Sequence, residues 1–139
     1  MSVAVASSGA PQKLARNLQL SGLLPLLDPY HVVSAAYVAR GKPAPDVYLE
    51  AMRRVGCSDP TRALVVEDAV NGLKAGRAAG AFTVAVPTSL PAEVLRPWAD
   101  LVVERLGLIC LDNLTPAAAE KYGKPFAELT TNEQVHSAG

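Results

Sequence analysis

The sequence predicts an α/β fold, a Rossmann-like parallel sheet with helices on its faces. Three observations point there. Short β-rich apolar runs alternate with amphipathic helical ones along most of the chain. The 139 residues are 50% apolar and 19% charged, enough non-polar surface for one core and one domain. Polar residues gather just beyond the runs that read as strands, where open α/β sheets bind their ligands.

Residues 3–6, Val-Ala-Val-Ala, read as a buried strand, and residues 11–20 as a helix in which Leu14, Leu18 and Ala15 share a face among Lys13, Arg16 and Asn17. Residues 31–34 form a second strand, and residues 45–55 a helix with Val47, Leu49 and Met52 available for the core. Residues 63–66 are a third strand. The helix over 70–79 stops at Gly80, where a positive φ costs little. A fourth strand over 82–86, a short helix over 91–96 and an edge strand over 101–104 complete the alternation. After about Leu114 the two-residue period ceases. Residues 117–122 read as a short helix and residues 130–139, polar and Gly-ended, as a loose tail. The organisation is therefore a partial core over 1–114 and a C-terminal extension over 115–139, disordered in part.

Thirteen basic residues balance thirteen acidic ones, and no Lys/Arg run provides a footprint for nucleic acid or an anionic membrane. Residues 1–10 lack a basic leader and are interrupted by Ser and Gly, so they read as neither signal peptide nor anchor. No apolar run reaches the roughly 18 residues of a spanning helix. Cys57 and Cys110 lie far apart without metal-spaced neighbours and read as reduced thiols of a cytoplasmic protein, an organelle not being excluded. His31 and His136 have no triad partners and read as structural or solvent-facing. Gly72, Gly76 and Gly80 recur every four residues, which suits close helix-to-sheet packing. Trp98 and the tyrosines are too scattered to stack bases.

Three strand ends carry candidate chemistry. Ser7, Ser8 and Gly9 follow the first strand and precede a helix, so hydroxyls and backbone N–H groups can cradle a phosphate there; the same residues also suit an ordinary turn and cap. Lys42, in Gly-Lys-Pro-Ala-Pro-Asp, is fixed by neighbouring Pro and Gly as a lysine aimed at a phosphoryl oxygen would be, against the plainer reading of a solvated loop lysine. It is not a phosphate-binding Walker loop, since Ala36 stands where that motif requires Gly. Glu67 and Asp68 end the third strand as two adjacent carboxylates able to hold Mg²⁺, although Asp68 can equally cap the helix that follows.

Ser7, Lys42 and Asp68 thus stand on three successive strand ends, about 35 and about 26 residues apart. In this order, Val-Ala-Ser-Ser-Gly, Gly-Lys-Pro-Ala-Pro-Asp-Val-Tyr-Leu and Val-Val-Glu-Asp-Ala-Val-Asn-Gly-Leu-Lys-Ala-Gly resemble motifs II, III and IV of the haloacid dehalogenase (HAD) superfamily, in its β-phosphoglucomutase-like phosphatase branch. The resemblance covers roughly residues 3–104. It implies that Ser7 hydrogen-bonds the transferring phosphoryl group, with Ser8 and Gly9 adding backbone contacts. It implies that Lys42 steadies nucleophile and phosphate charge, and that Asp68 with Glu67 holds Mg²⁺. Asn71 and Gly72 would shape the loop.

The family's nucleophile is an aspartate in an Asp-x-Asp motif on a central strand, and no Asp-x-Asp occurs in this sequence. By the resemblance, Met1 falls about where the motif II strand begins, so that strand, its two aspartates and the cap domain are missing. The core is then expected to be incomplete: two half-sheets, residues 3–6 with 31–34 and residues 63–66 with 82–86, exposing edges that invite self-association or pairing with a full-length relative. The expected function is Mg²⁺-dependent phosphatase or phosphomutase action on a small phosphorylated metabolite, of sugar-phosphate type, in the complete form. The alternative is a catalytically incomplete isoform or pseudoenzyme acting as a binding module. Dehalogenation is disfavoured by the Glu67-Asp68 pair.

Overall fold

The computed structural model describes residues 2–109, 111–123 and 135–138. Every strand pairing in it is parallel. β1 (Ser2–Val3) and β2 (Val5–Ser7) are two parts of one extended run, interrupted at the fully buried Ala4. β2 pairs with β3 (Val32–Ser34) in the register Val5 with Val32, Ala6 with Val33 and Ser7 with Ser34. β4 (Leu64–Glu67), β5 (Phe82–Ala85) and β6 (Leu101–Val102) follow in sequence. With β7 (Val135–Ala138) they form a second ladder in the order β1-β7-β4-β5-β6.

β7 corrects two expectations. Residues 135–138, read as part of a loose tail, are a strand, and the space between β1 and β4, expected to expose two edges, contains that strand. Its residues pair with Ser2 and Val3 on one side and with Leu64, Val65 and Val66 on the other. The physical reason is backbone chemistry. Two facing parallel edges offer N–H and C=O groups to any extended segment, whatever its hydrophobic period. The remainder of the predicted tail, residues 130–134 and 139, lies outside the described residues, as does Cys110. Cys57 Sγ donates to the Asp59 carbonyl at 3.2 Å.

The helices form where the apolar spacing requires. α1 (Pro11–Leu20) starts with proline in its first turn and buries Leu14 and Leu18, one turn apart; Ala15, expected on the same face, is exposed. α2 (Asp46–Arg54) buries Val47, Tyr48, Ala51 and Met52, while Leu49, expected in the core, points away from that stripe and is 44% exposed. Its acidic first turn and basic last turn complement the helix dipole. α3 (Val70–Ala78) lies so close to the sheet that a Cβ on Gly76 would stand 2.9 Å from Thr83 Cγ2 and 3.0 Å from Val65 Cγ1. After α3 the chain reverses through Gly80 at φ +86°, the positive φ expected from sequence.

α4 (Ala92–Leu95) is a single turn that buries Leu95. α5 (Leu111–Tyr122) begins earlier than residue 117 because it runs through Pro116, a residue that argues against helix when read from sequence alone. Lys121 fastens it to the sheet, donating to Asp100 at 2.6 Å and to the Ala81 carbonyl at 3.0 Å.

The core divides at β4. Val65 faces Ala4, Ala6, Val33 and the buried side of α2, whereas Leu64 and Val66 face Phe82, Val84, Val103 and Leu114. Alternate side chains along a strand point to opposite faces, so a strand covered on both must be apolar throughout. The run from Ala63 to Val66 satisfies that requirement with no polar residue. No helix among the described residues is long and apolar enough to cross a membrane.

Candidate functional site

β2 and β4 end on the same side of the sheet, and Ser7 and Glu67 are their last residues. Around them a cleft of about 300 Å³ is lined by Ser7, Ser8, Gly9, Lys42, Glu67, Asp68, Ala69, Asn71 and Gly72. The structure thus brings together the phosphate-binding and metal-binding candidates from the three strand ends, with Asn71 and Gly72 beside them.

The turn between β2 and α1 is tied by side chains. Ser7 Oγ accepts the Gly9 N–H at 3.1 Å, which leaves its own proton free for an acceptor in the cleft. Ser34, buried at the end of β3, donates to the Gly9 carbonyl at 2.7 Å and accepts the Ala36 N–H at 3.1 Å. Ser8 is exposed at the rim.

Lys42 reaches the cleft from the Pro-rich loop before α2. Its ammonium donates to the Ala6 carbonyl at 3.2 Å and to Glu67 Oε1 at 2.5 Å, and it lies 4.7 Å from the centre of the Tyr48 ring. Two of its three N–H donors are thereby engaged, leaving one for an anion. The Glu67 side chain is only 1% exposed and also accepts the Tyr48 hydroxyl proton. Gly72 makes room for it, because a Cβ there would collide with the Glu67 carboxylate.

Asp68 differs from its neighbour. It is half-buried, and its Oδ2 accepts protons from Thr88 Oγ1 at 3.0 Å and Ser89 Oγ at 2.8 Å, both from the loop after β5. Oδ1 has no hydrogen-bond partner among the described residues. The adjacent pair is therefore divided in its tasks, with Glu67 inward on Lys42 and Tyr48 and Asp68 toward solvent. Among the described residues no group of three or more His, Cys, Asp or Glu side chains converges as around a metal ion.

Sequence reasoning missed Tyr48, Ser34, Thr88 and Ser89. Tyr48 sits two residues after Asp46 in the Pro-Asp-Val-Tyr stretch, among aliphatic positions whose spacing signals core and not site. Thr88 and Ser89 lie just beyond the carboxyl end of β5, so applying the strand-end rule to that strand as well would have found them.

A family profile described as haloacid dehalogenase-like hydrolase matches residues 1–80. The bifunctional riboflavin kinase/FMN phosphatase of Arabidopsis thaliana is 42% identical over 86 residues, 55% of this chain and 22% of that protein. The β-phosphoglucomutase of Bacillus subtilis is 34% identical over 109 residues, 75% of this chain and 45% of that one. Among solved structures, a HAD family hydrolase from Deinococcus radiodurans with bound phosphate and sodium superposes with a TM-score of 0.69 at 33% identity, covering 94% of this chain and 54% of that chain. The chain thus spans between about a fifth and about half of these relatives. The profile match over more than half of the chain shows that the chain belongs to the haloacid dehalogenase-like hydrolases.

Proposed function

We propose that this chain is the phosphate- and cation-binding portion of a phosphatase or phosphomutase that acts on small phosphorylated metabolites. The observation that carries the reading is the convergence of Ser7, Lys42 and Asp68 on one cleft at the carboxyl end of the sheet. The activities of the relatives, FMN phosphatase and β-phosphoglucomutase among them, support the substrate class.

In this reading a phosphoryl group enters at the amino end of α1, where helix polarity and backbone N–H groups favour an anion. The Ser7 hydroxyl donates to one of its oxygens, and the remaining Lys42 donor to another. Because Glu67 and Tyr48 hold the ammonium in place, its charge is oriented before the substrate arrives, and no reorganisation is needed as negative charge moves during transfer.

The residues present suit Mg²⁺ in chemistry, since Asp68 offers a hard oxygen and Mg²⁺ is commonly held by one or two carboxylates with water and substrate phosphate. Asp68 would hold it, with Thr88 and Ser89 fixing the carboxylate. Bound there, the ion would neutralise charge on the transferring group. Glu67 serves foremost as the counter-ion of Lys42.

A displacement through an aspartyl-phosphate requires an aspartate that this sequence lacks, so turnover needs the nucleophile from elsewhere. The test compares phosphate release from phosphate monoesters, with and without Mg²⁺, by this chain and by the chain extended through its upstream reading frame. Activity confined to an extension that adds Asp-x-Asp, and lost on Lys42→Ala, is the expected result. An extended protein that stays active without Lys42 would overturn the assignment.

A further inference from the structure

Ser34 joins the two stretches of backbone that present Ser7 and Lys42 to the cleft. It ends β3 in register with Ser7 at the end of β2, and it is fully buried. Its hydroxyl works in two directions, donating to the Gly9 carbonyl across 25 residues of sequence at 2.7 Å and accepting the Ala36 N–H at 3.1 Å. The first bond holds the turn between β2 and α1. Gly9 then has its carbonyl fixed by Ser34 and its N–H fixed by Ser7 Oγ, so the planes of both its peptides are set. The rotation of the Ser7 hydroxyl depends in turn on where Gly9 sits. The second bond caps the short helical turn Ala35–Tyr37, with which the segment leading to Lys42 begins. That segment comes back to its own start, since a Cβ on Gly41, next to Lys42, would lie 4.0 Å from Ala35 Cβ. Burying a hydroxyl costs free energy that its hydrogen bonds do little more than return. Packing alone therefore does not account for a serine after Val32 and Val33.

We propose that Ser34 is a positioning residue for phosphate recognition. It is not among the residues that line the cleft. Its hydroxyl sets the spacing between the Ser7 hydroxyl and the Lys42 ammonium by tying the turn of one to the loop of the other. The inference rests on the reading of Ser7 and Lys42 as phosphate ligands.

The test titrates inorganic phosphate, with MgCl₂ present, into the full chain and into Ser34→Thr, Ser34→Val and Lys42→Ala by calorimetry below their melting temperatures. Thr and Val have the same shape, and only Thr keeps the hydroxyl. A groove of about 180 Å³ bordered by Ser34, Val32, Tyr37 and Leu14 gives the added methyl groups room. The Thr variant is expected to bind phosphate within about twofold of the parent, and the Val variant about tenfold more weakly. A Val variant that melts at a lower temperature but binds phosphate as the parent does would show a structural role only and overturn the proposal. So would a Thr variant as weak as the Val one. Should the Val variant fail to fold, nuclear magnetic resonance of the unmodified chain decides. The Ala36 amide should then shift on adding phosphate with the same Kd as the Gly9 amide, and a stationary Ala36 overturns the coupling. Binding lost in Lys42→Ala but kept in Ser34→Val removes the role of Ser34 alone. Binding unchanged in Lys42→Ala, or absent from the parent, removes the phosphate reading and this proposal with it.

Discussion

The Lys42 ammonium and the Glu67 carboxylate meet at 2.5 Å with 6% and 1% of their side chains exposed, in the lining of the cleft. Removing one member of a buried ion pair strands the other, at about 3–5 kcal/mol, whereas replacing both by apolar or neutral groups is far milder. Lys42→Met alone should therefore destabilise the chain by that amount in urea unfolding. Lys42→Met combined with Glu67→Gln should recover most of the loss. Equal destabilisation by the single and double variants would show that the pair is not coupled.

Gly72 is the space into which Glu67 folds. Gly72→Ala drives a methyl group against the buried carboxylate and should destabilise the chain by about 1–3 kcal/mol, as overpacking does. A thermal melt identical to that of the parent would contradict the tight fit.

Thr88 and Ser89 hold one oxygen of Asp68, an arrangement that would orient the carboxylate toward the proposed Mg²⁺. In the extended, active form, Thr88→Ala with Ser89→Ala is expected to weaken Mg²⁺ binding about ten- to a hundredfold while leaving the fold intact. Asp68→Asn should remove the Mg²⁺ dependence altogether. Calorimetric titration with MgCl₂ reads both, and an unchanged affinity in the double variant would deny the loop its part.

Glu50 provides a pH-dependent contribution. Hydrogen bonds from Arg53 and then Arg54 hold its carboxyl down from 4.5 to about 2. A depressed folded value means that the stabilisation is present above about 4.5 and lost as the pH falls through about 2. Glu50→Gln should accordingly lower the urea midpoint near neutral pH, with the difference from the parent shrinking as the pH is lowered through that window. A difference that grows on acidification would reverse the sign and the argument.

The residues that were legible in the sequence are those whose local chemistry suffices. Pro11 and the Leu14/Leu18 spacing define α1, Gly80 defines the turn after α3, and the all-apolar run before Glu67 defines β4. Ser7 and Asp68 were legible as strand-end residues because the sheet's direction brings such ends together, whereas Lys42 reaches them from the Pro-rich loop before α2 and not from the end of β3. Local signals fail where the determining partner is distant. Nothing in Val-His-Ser-Ala announces a strand, since its pairing partners are at Ser2 and Val3 and at Leu64 to Val66. Glu67 and Asp68 look equivalent as neighbours in sequence. Only the reach of Tyr48 from α2 and of Thr88 and Ser89 from beyond β5 sends them in different directions.

The pairing of Ser2 with Val135 has a consequence for folding. β1 and Val135–Ala138 are far apart in sequence, and until they meet the middle of the sheet cannot close. Contacts of such long sequence separation form slowly. During that interval β1 and β4 are exposed on the chain as open edges, the kind of surface that aggregates or engages chaperones. The folding polypeptide is thus in greatest need of protection before that pairing forms.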